Sequence, residues 1–173
     1  VPETYLEKAI SNMYKTREAR WAKAAARLGV QTFRGFHAYR GIRSPMAEEI
    51  IPQIIAAWQD PDSLMVQLSQ HGVLSSWSLD RSVPERVARL RGMGILLAAD
   101  IPLENTLADR IADGPAFSSL LEIEIIAGSV TGKMDVPKDK IEIFHKGRFY
   151  TYQTRQEFVD IWTADHPGTQ NNP

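Results

Sequence analysis

The chain has 173 residues, room for one domain or at most two small ones. Hydrophobic residues make up 43 % and charged residues 24 %, which excludes wholesale disorder and collagen-like repetition. Lys and Arg number 20 against 21 Asp and Glu, a formal net charge of -1, so a hold on nucleic acid would have to come from a local patch. Cys is absent, which removes disulfides, thiol nucleophiles and cysteine-ligated metal sites and leaves the redox compartment open. No run of about 18 apolar residues suggests a membrane span. The chain begins with Val and has no basic-then-apolar leader, which reads as a processed chain or an excised domain.

Residues 1–29 are expected to form one long N-terminal helix, spanning 2–28, with Thr4 and Glu7 as a capping box and Gly29 as its stop. Leu6, Ile10, Met13, Trp21 and Leu28 recur at helical spacing, while Lys15, Arg17, Arg20, Lys23 and Arg27 fill the opposite, solvated face. Phe33 to Ile42 is aromatic-rich and reads as a strand with Gly35 as a candidate bend. Met46 to Trp58 reads as a helix with Pro52 as a candidate break, and Asp62 to Gln70 as a second helical stretch. A short strand over Val73–Leu79 precedes a helix over Val83–Arg91, with Ser82 as cap and Pro84 in the first turn.

Ile95 to Ile101 is an apolar strand that Pro102 ends, and residues 103–119 read as irregular. Strands follow over Leu120–Ile126, Ile141–Phe144 and Arg148–Tyr152, then a helix over Arg155–Trp162 and a polar, turn-rich tail over 164–173. Helices gather in the first half and strands in the second, so the expected class is α+β.

Three constellations could carry chemistry. On a strand, Leu121-Glu122-Ile123-Glu124-Ile125 would put Glu122 and Glu124 about 6–7 Å apart on one face, where mutual repulsion raises one pKa unless a cation intervenes. Glu on a solvent-exposed strand face is the plain alternative. Ser75-Ser76-Trp77-Ser78 would place Ser76 and Ser78 on a shared face, able to orient a neighbouring carboxylate or arginine, or simply to end a strand. Tyr39-Arg40-Gly41 offers a guanidinium fork for a carboxylate or pyrophosphate, and Phe33-Arg34-Gly35 is a near-copy just before it. The four His (37, 71, 145, 166) show no metal-ligand spacing. His37 alternates with Tyr39 and could line a pocket, although a packed or surface histidine is the commoner case.

The order of these motifs is more specific than any one of them. YRGI (39–42), SWSLDRSVPERVA (76–88), ILLAADIPLENTLA (95–108) and LEIEI (121–125) together resemble the Arg–Ser–Glu class of ADP-ribosyltransferases, which includes arginine-directed bacterial toxins. The resemblance spans 33–152 and implies two packed, mainly antiparallel sheets around an NAD cleft, with N-terminal helices. It implies that Arg40, flanked by Tyr39 and Gly41, anchors the NAD phosphates. It implies that Ser76 props the site and orients the catalytic glutamate, with Ser78 as the last motif serine. Trp77 stands where the family has Thr. Glu124 corresponds to the catalytic glutamate, and Glu122 to the carboxylate that prepares an arginine acceptor. Arg34 for Arg40, and Glu142 for Glu124, are the alternative alignments.

The implied activity is mono-ADP-ribosyl transfer from NAD, as substrate and without a metal, to an arginine of a target protein. The implied setting is a secreted or delivered bacterial effector acting in the target-cell cytoplasm, with a cognate immunity protein as a further partner and no membrane. Phe117, in the segment before Glu122, would contact the target or anchor to the core. Near-neutral charge favours a protein target over a nucleic acid. The alternatives are an NAD glycohydrolase, a nucleic-acid ADP-ribosyltransferase using the basic helix face and KGRFYTY (146–152), and a catalytically silent binding module with the same fold.

Overall fold

A computed structural model describes residues 22, 26, 35–69, 74–102, 106–109, 124–128 and 133–167. Among them are nine strands and three α-helices in two mostly antiparallel sheets, an α+β architecture. The predicted helix over 2–28 lies outside the described residues apart from Ala22 and Ala26, both helical and exposed.

In chain order the elements are β1 (Gly35–Arg43), α1 (Met46–Gln59), β2 (Met65–Ser69), β3 (Leu74–Ser78), α2 (Ser82–Arg89) and β4 (Met93–Pro102). Then come β5 (Thr106–Asp109), β6 (Glu124–Gly128), β7 (Lys133–Pro137), β8 (Ile141–His145), β9 (Arg148–Tyr150) and α3 (Arg155–Asp165), with 3-10 turns at Lys138–Lys140 and Tyr152–Thr154. The seven-stranded sheet runs β5-β6-β3-β1-β4-β8-β9, and β2 pairs with β7 in the second sheet. The chain divides into two compact units. One comprises Val1–Arg40, Ser69–Pro84 and Ala99–Met134, and the other Gly41–Leu68, Glu85–Ala98 and Asp135–Pro173.

The second unit is built on α1 and α3. Ala47, Ile51, Ile54, Ile55 and Trp58 form the buried stripe of α1, and each such large apolar side chain contributes roughly 1.5–3 kcal/mol. Pro52 does not break this helix, contrary to the sequence expectation. Its ring and the turn it would disturb at Glu48 are both exposed, so water can satisfy the carbonyl left without a partner. Lys138 closes the far end: its buried ammonium donates to Ala57 O at 3.3 Å and Asp60 O at 2.8 Å. Trp58 Nε1 returns a bond to Lys138 O at 2.9 Å. Phe158 on α3 is fully buried and meets Trp58, Tyr150 and Trp162 through ring contacts.

Four further sequence expectations need correction. The expected helix over Asp62–Gln70 is not helical over its described part, 62–69: Asp60 Oδ1 accepts the Asp62 N–H at 2.9 Å in a tight turn, and Met65–Ser69 is a strand. The deciding signal is period two, with Val66 and Leu68 buried and Gln67 exposed between them. Ser82 is the first residue of α2 rather than its cap. The capping carboxylate belongs to Asp80, whose Oδ1 accepts the Ser82 N–H at 3.0 Å and its hydroxyl at 2.9 Å. The segment 103–119 is not wholly irregular, because Thr106–Asp109 pairs with β6. The tail begins later than expected, since α3 extends through Ala164 and Asp165. Strand β7 has no counterpart among the expected elements.

Two glycine positions explain local geometry in the second unit. Gly147, with Lys146, has positive φ (82° and 48°) and makes the two-residue turn between β8 and β9. Gly94 lets β4 press against α2, where an added Cβ would stand 1.9 Å from Ala88 O.

Candidate active site

Of the sequence-predicted residues, Tyr39, Arg40, Ser76, Ser78 and Glu124 fall in the first unit and Gly41 in the second. On β3, Trp77 is 1 % exposed and Ser78 5 %, while Ser76 is exposed. Trp77, the departure from the family motif, is thus a core residue, and its position is directly opposite Ile125 on β6. Directly opposed residues of an antiparallel pair share a face. Ser78 stands opposite Glu124 on one side and opposite Tyr39 on the other. Tyr39, Ser78 and Glu124 therefore form one row across three neighbouring strands, drawn from three motifs far apart in the chain.

Ser78 is prepared for that row. Its hydroxyl oxygen accepts the Asp80 N–H at 3.0 Å, fixing the turn into α2. The hydroxyl proton is left to donate, and its strand position faces the Glu124 register. Ser76 pairs with Ile126 and so lies diagonal to Glu124 on the same face.

Arg40 enters differently. Strand alternation gives His37 and Tyr39 one face of β1 and Ala38 and Arg40 the other. Of the aromatic–Arg pair, Tyr39 is the one in the row. The long Arg40 side chain reaches β3 by its tip, where Nη1 donates to the Ser76 carbonyl at 3.5 Å. That is a long bond for a half-buried guanidinium, and it is the only polar contact Arg40 makes among the described residues. Burial pushes the Arg40 pKa below its ordinary value. The side chain nonetheless stays charged, because arginine is not deprotonated in proteins. A charged fork with most of its donors unused among the described residues is suited to a phosphate or carboxylate.

Gly41 follows Arg40 within β1 and is half-buried. Glu122, Arg34, His71 and Phe117 lie outside the described residues. Glu142 sits on β8 opposite Leu96, in the second unit, and has no register with β3.

His37 is neither packed nor solitary. Its Nδ1 bonds Asp100 Oδ1 on β4 at 2.8 Å, and its ring meets Tyr39 edge-on with centroids 5.3 Å apart. Sequence reasoning missed Asp100. Its signal was there: Asp100 is the one charged residue in the apolar run Ile95–Ile101. Among the described residues no three His, Asp or Glu come together to hold a metal ion, and no described helix is long and apolar enough to cross a membrane. A scan of protein-family models and searches of curated proteins and solved structures find no match to this chain.

Proposed function

We infer that this protein is an NAD-dependent mono-ADP-ribosyltransferase with an ADP-ribosyltransferase-like fold, directed at an arginine of a target protein. The observation that carries the reading is the row of Tyr39, Ser78 and Glu124 across β1, β3 and β6; Arg40, on the other face of β1, meets β3 at the Ser76 carbonyl. That row joins the three motifs on which the family resemblance rests.

The chemistry follows from the residue types. Arg40 holds the pyrophosphate of NAD by charge-assisted hydrogen bonds. The bond between nicotinamide and ribose C1′ breaks, and its electron pair leaves with nicotinamide. Positive charge then develops on the ribose, and the Glu124 carboxylate stabilises it. By the family resemblance Ser76 is the serine that orients that carboxylate, with Ser78 as the last motif serine on the same strand. A nitrogen of the acceptor guanidinium forms the new bond to C1′, and Glu122 takes the proton it loses. With water in place of the acceptor, the same site is an NAD glycohydrolase. The matching biological role is the toxin domain of a bacterial effector delivered into a target cell, opposed by an immunity protein.

The test is nicotinamide release and label transfer from NAD carrying a labelled ADP-ribose moiety. Glu124→Gln should lower the rate by at least about 100-fold, the scale of losing an electrostatic stabiliser, whereas Glu142→Gln should retain it. Label on protein that survives nuclease supports a protein acceptor. No NAD consumption by the wild type, or activity lost in Glu142→Gln and kept in Glu124→Gln, overturns the reading.

A further inference from the structure

We propose that the corner where α2 meets β8 and β9 is a docking surface for a single-stranded nucleic acid, held by Arg86, Arg89, Arg91 and Lys146. It lies in the second unit and is independent of the transfer reading, whose Arg40, Ser78 and Glu124 belong to the first. The formal net charge is -1, so such a ligand needs a local cluster of cations.

Register and packing assemble that cluster. Phe144 on β8 stands opposite Phe149 on β9, on the face shared with Gly94, where Ala88 of α2 packs. One residue on, Arg89 ends α2 with its guanidinium over both rings, 5.6 and 5.2 Å from their centroids. Arg86 lies one helical turn back on the same side of α2. Met93 of β4 stands opposite His145, so Arg91, just before Met93, and Lys146, just after His145, emerge together at that end of the sheet. Arg148 takes no part: alternation sends it to the other face, where Glu157 of α3 meets it at 2.8 Å.

The segments 85–91 and 145–147 hold four Lys and Arg against one acid, Glu85, whose bond to Arg89 is long at 3.4 Å. Glu142 shares the face, two residues before Phe144, and the cations still outnumber the acids. Arg91 and Lys146 are exposed and have no ion-pair partner among the described residues. His145 registers the field: burial first and Lys146 next lower its pKa, with His166 adding and Asp165 opposing.

A phosphate backbone supplies repeating charge to such a cluster, and arginine forks take its oxygens bidentately. The two rings hold the Arg89 guanidinium from beneath, and its side chain is 54 % exposed. That leaves an outer plane on which an unpaired base can stack, which a duplex would not offer. A lipid surface would need an apolar face to insert, and Leu90 is the one large exposed apolar side chain of these segments.

The experiment is fluorescence anisotropy of a labelled oligouridine of about 15 nucleotides with the full chain, across a salt series. The wild type should bind with a Kd of about 10⁻⁴–10⁻⁶ M, and log K should fall with log salt at a slope of about −2 to −3, for three or four phosphates. Arg91→Glu with Lys146→Asn removes two contacts, and Asn tolerates the positive φ of that turn. The pair should flatten the slope by about 1.4 and weaken binding at least about tenfold at about 50 mM salt, with the urea midpoint unchanged. Arg91→Gln alone, flattening the slope by about 0.7, gives the same reading if the pair does not fold. Arg89→Lys keeps the charge and loses the plane, so it should weaken binding at least about fivefold at an unchanged slope. No binding at about 50 mM salt overturns the proposal. So does a slope that the Arg91 and Lys146 variants leave unchanged, which would point to the basic residues of 15–27 instead. Sedimentation with phosphatidylserine vesicles without oligouridine binding overturns it in favour of a lipid surface.

Discussion

Arg40→Met separates binding from stability, and the structure sets both magnitudes. The guanidinium has one polar contact among the described residues, at 3.5 Å to Ser76 O. A bond that long contributes at most about 0.5 kcal/mol. Burial lowers the Arg40 pKa, which means the folded environment disfavours the charged form. Arginine remains charged at every accessible pH, so this burial costs folding energy throughout and no pH window relieves it. Met preserves much of the aliphatic stem and removes the charge. The two terms nearly cancel, and the stability of Arg40→Met should lie within about 1 kcal/mol of wild type, with a gain as acceptable as a loss.

The binding term is far larger. Two charge-assisted bonds to a pyrophosphate, at about 1.5–3 kcal/mol each, give about 3–6 kcal/mol, or about 100- to 10,000-fold in kcat/KM for NAD. Arg40→Lys should fall between, because a point charge cannot form both bonds of the fork. Urea denaturation measures the first quantity and initial rates of nicotinamide release the second. If Arg40→Met loses more than about 2 kcal/mol of stability while turnover stays within about threefold, Arg40 is a structural residue and the anion role is wrong.

Two further outcomes test the frame around the site. Gly94→Ala places a Cβ 1.9 Å from Ala88 O, so urea unfolding should show a loss of about 3 kcal/mol from forced separation of α2 and β4. The His145 pKa is lowered, first by burial and then by Lys146 and His166, with Asp165 opposing. The unfolded chain therefore binds this proton more readily than the folded one, and stability should fall as pH drops through the unfolded value near 6.5. His145→Gln should flatten the denaturation midpoint between about pH 7 and pH 5.

Much of the frame was legible in local pattern. The α1 stripe, the apolar run of β4 and the final helix each carry a periodicity that one burial face enforces. Asp62–Gln70 was misread because two buried residues, Val66 and Leu68, are too few to distinguish period two from a helix face before a partner strand is known. Strand β7 was not anticipated for a similar reason: Lys133–Pro137 becomes a strand through its pairing with β2. At the site, the residue types were legible and their company was not.

By itself the sequence determined the chemical repertoire: no thiol, near balance of charge, and carboxylate, hydroxyl and guanidinium groups in a recognisable order. Local alternation also settled that Trp77 and Ser78 point to opposite faces of β3. Only the tertiary structure decided register. Shifting β6 by one residue against β3 would move Glu124 to the other face of the sheet, and no local signal in either strand specifies that alignment. Ser78 opposite Glu124, Tyr39 beside them, and Asp100 holding His37 are consequences of strand pairing between distant segments. Backbone hydrogen bonds set that pairing, and the burial of Trp77 at the register position opposite Ile125 selects it.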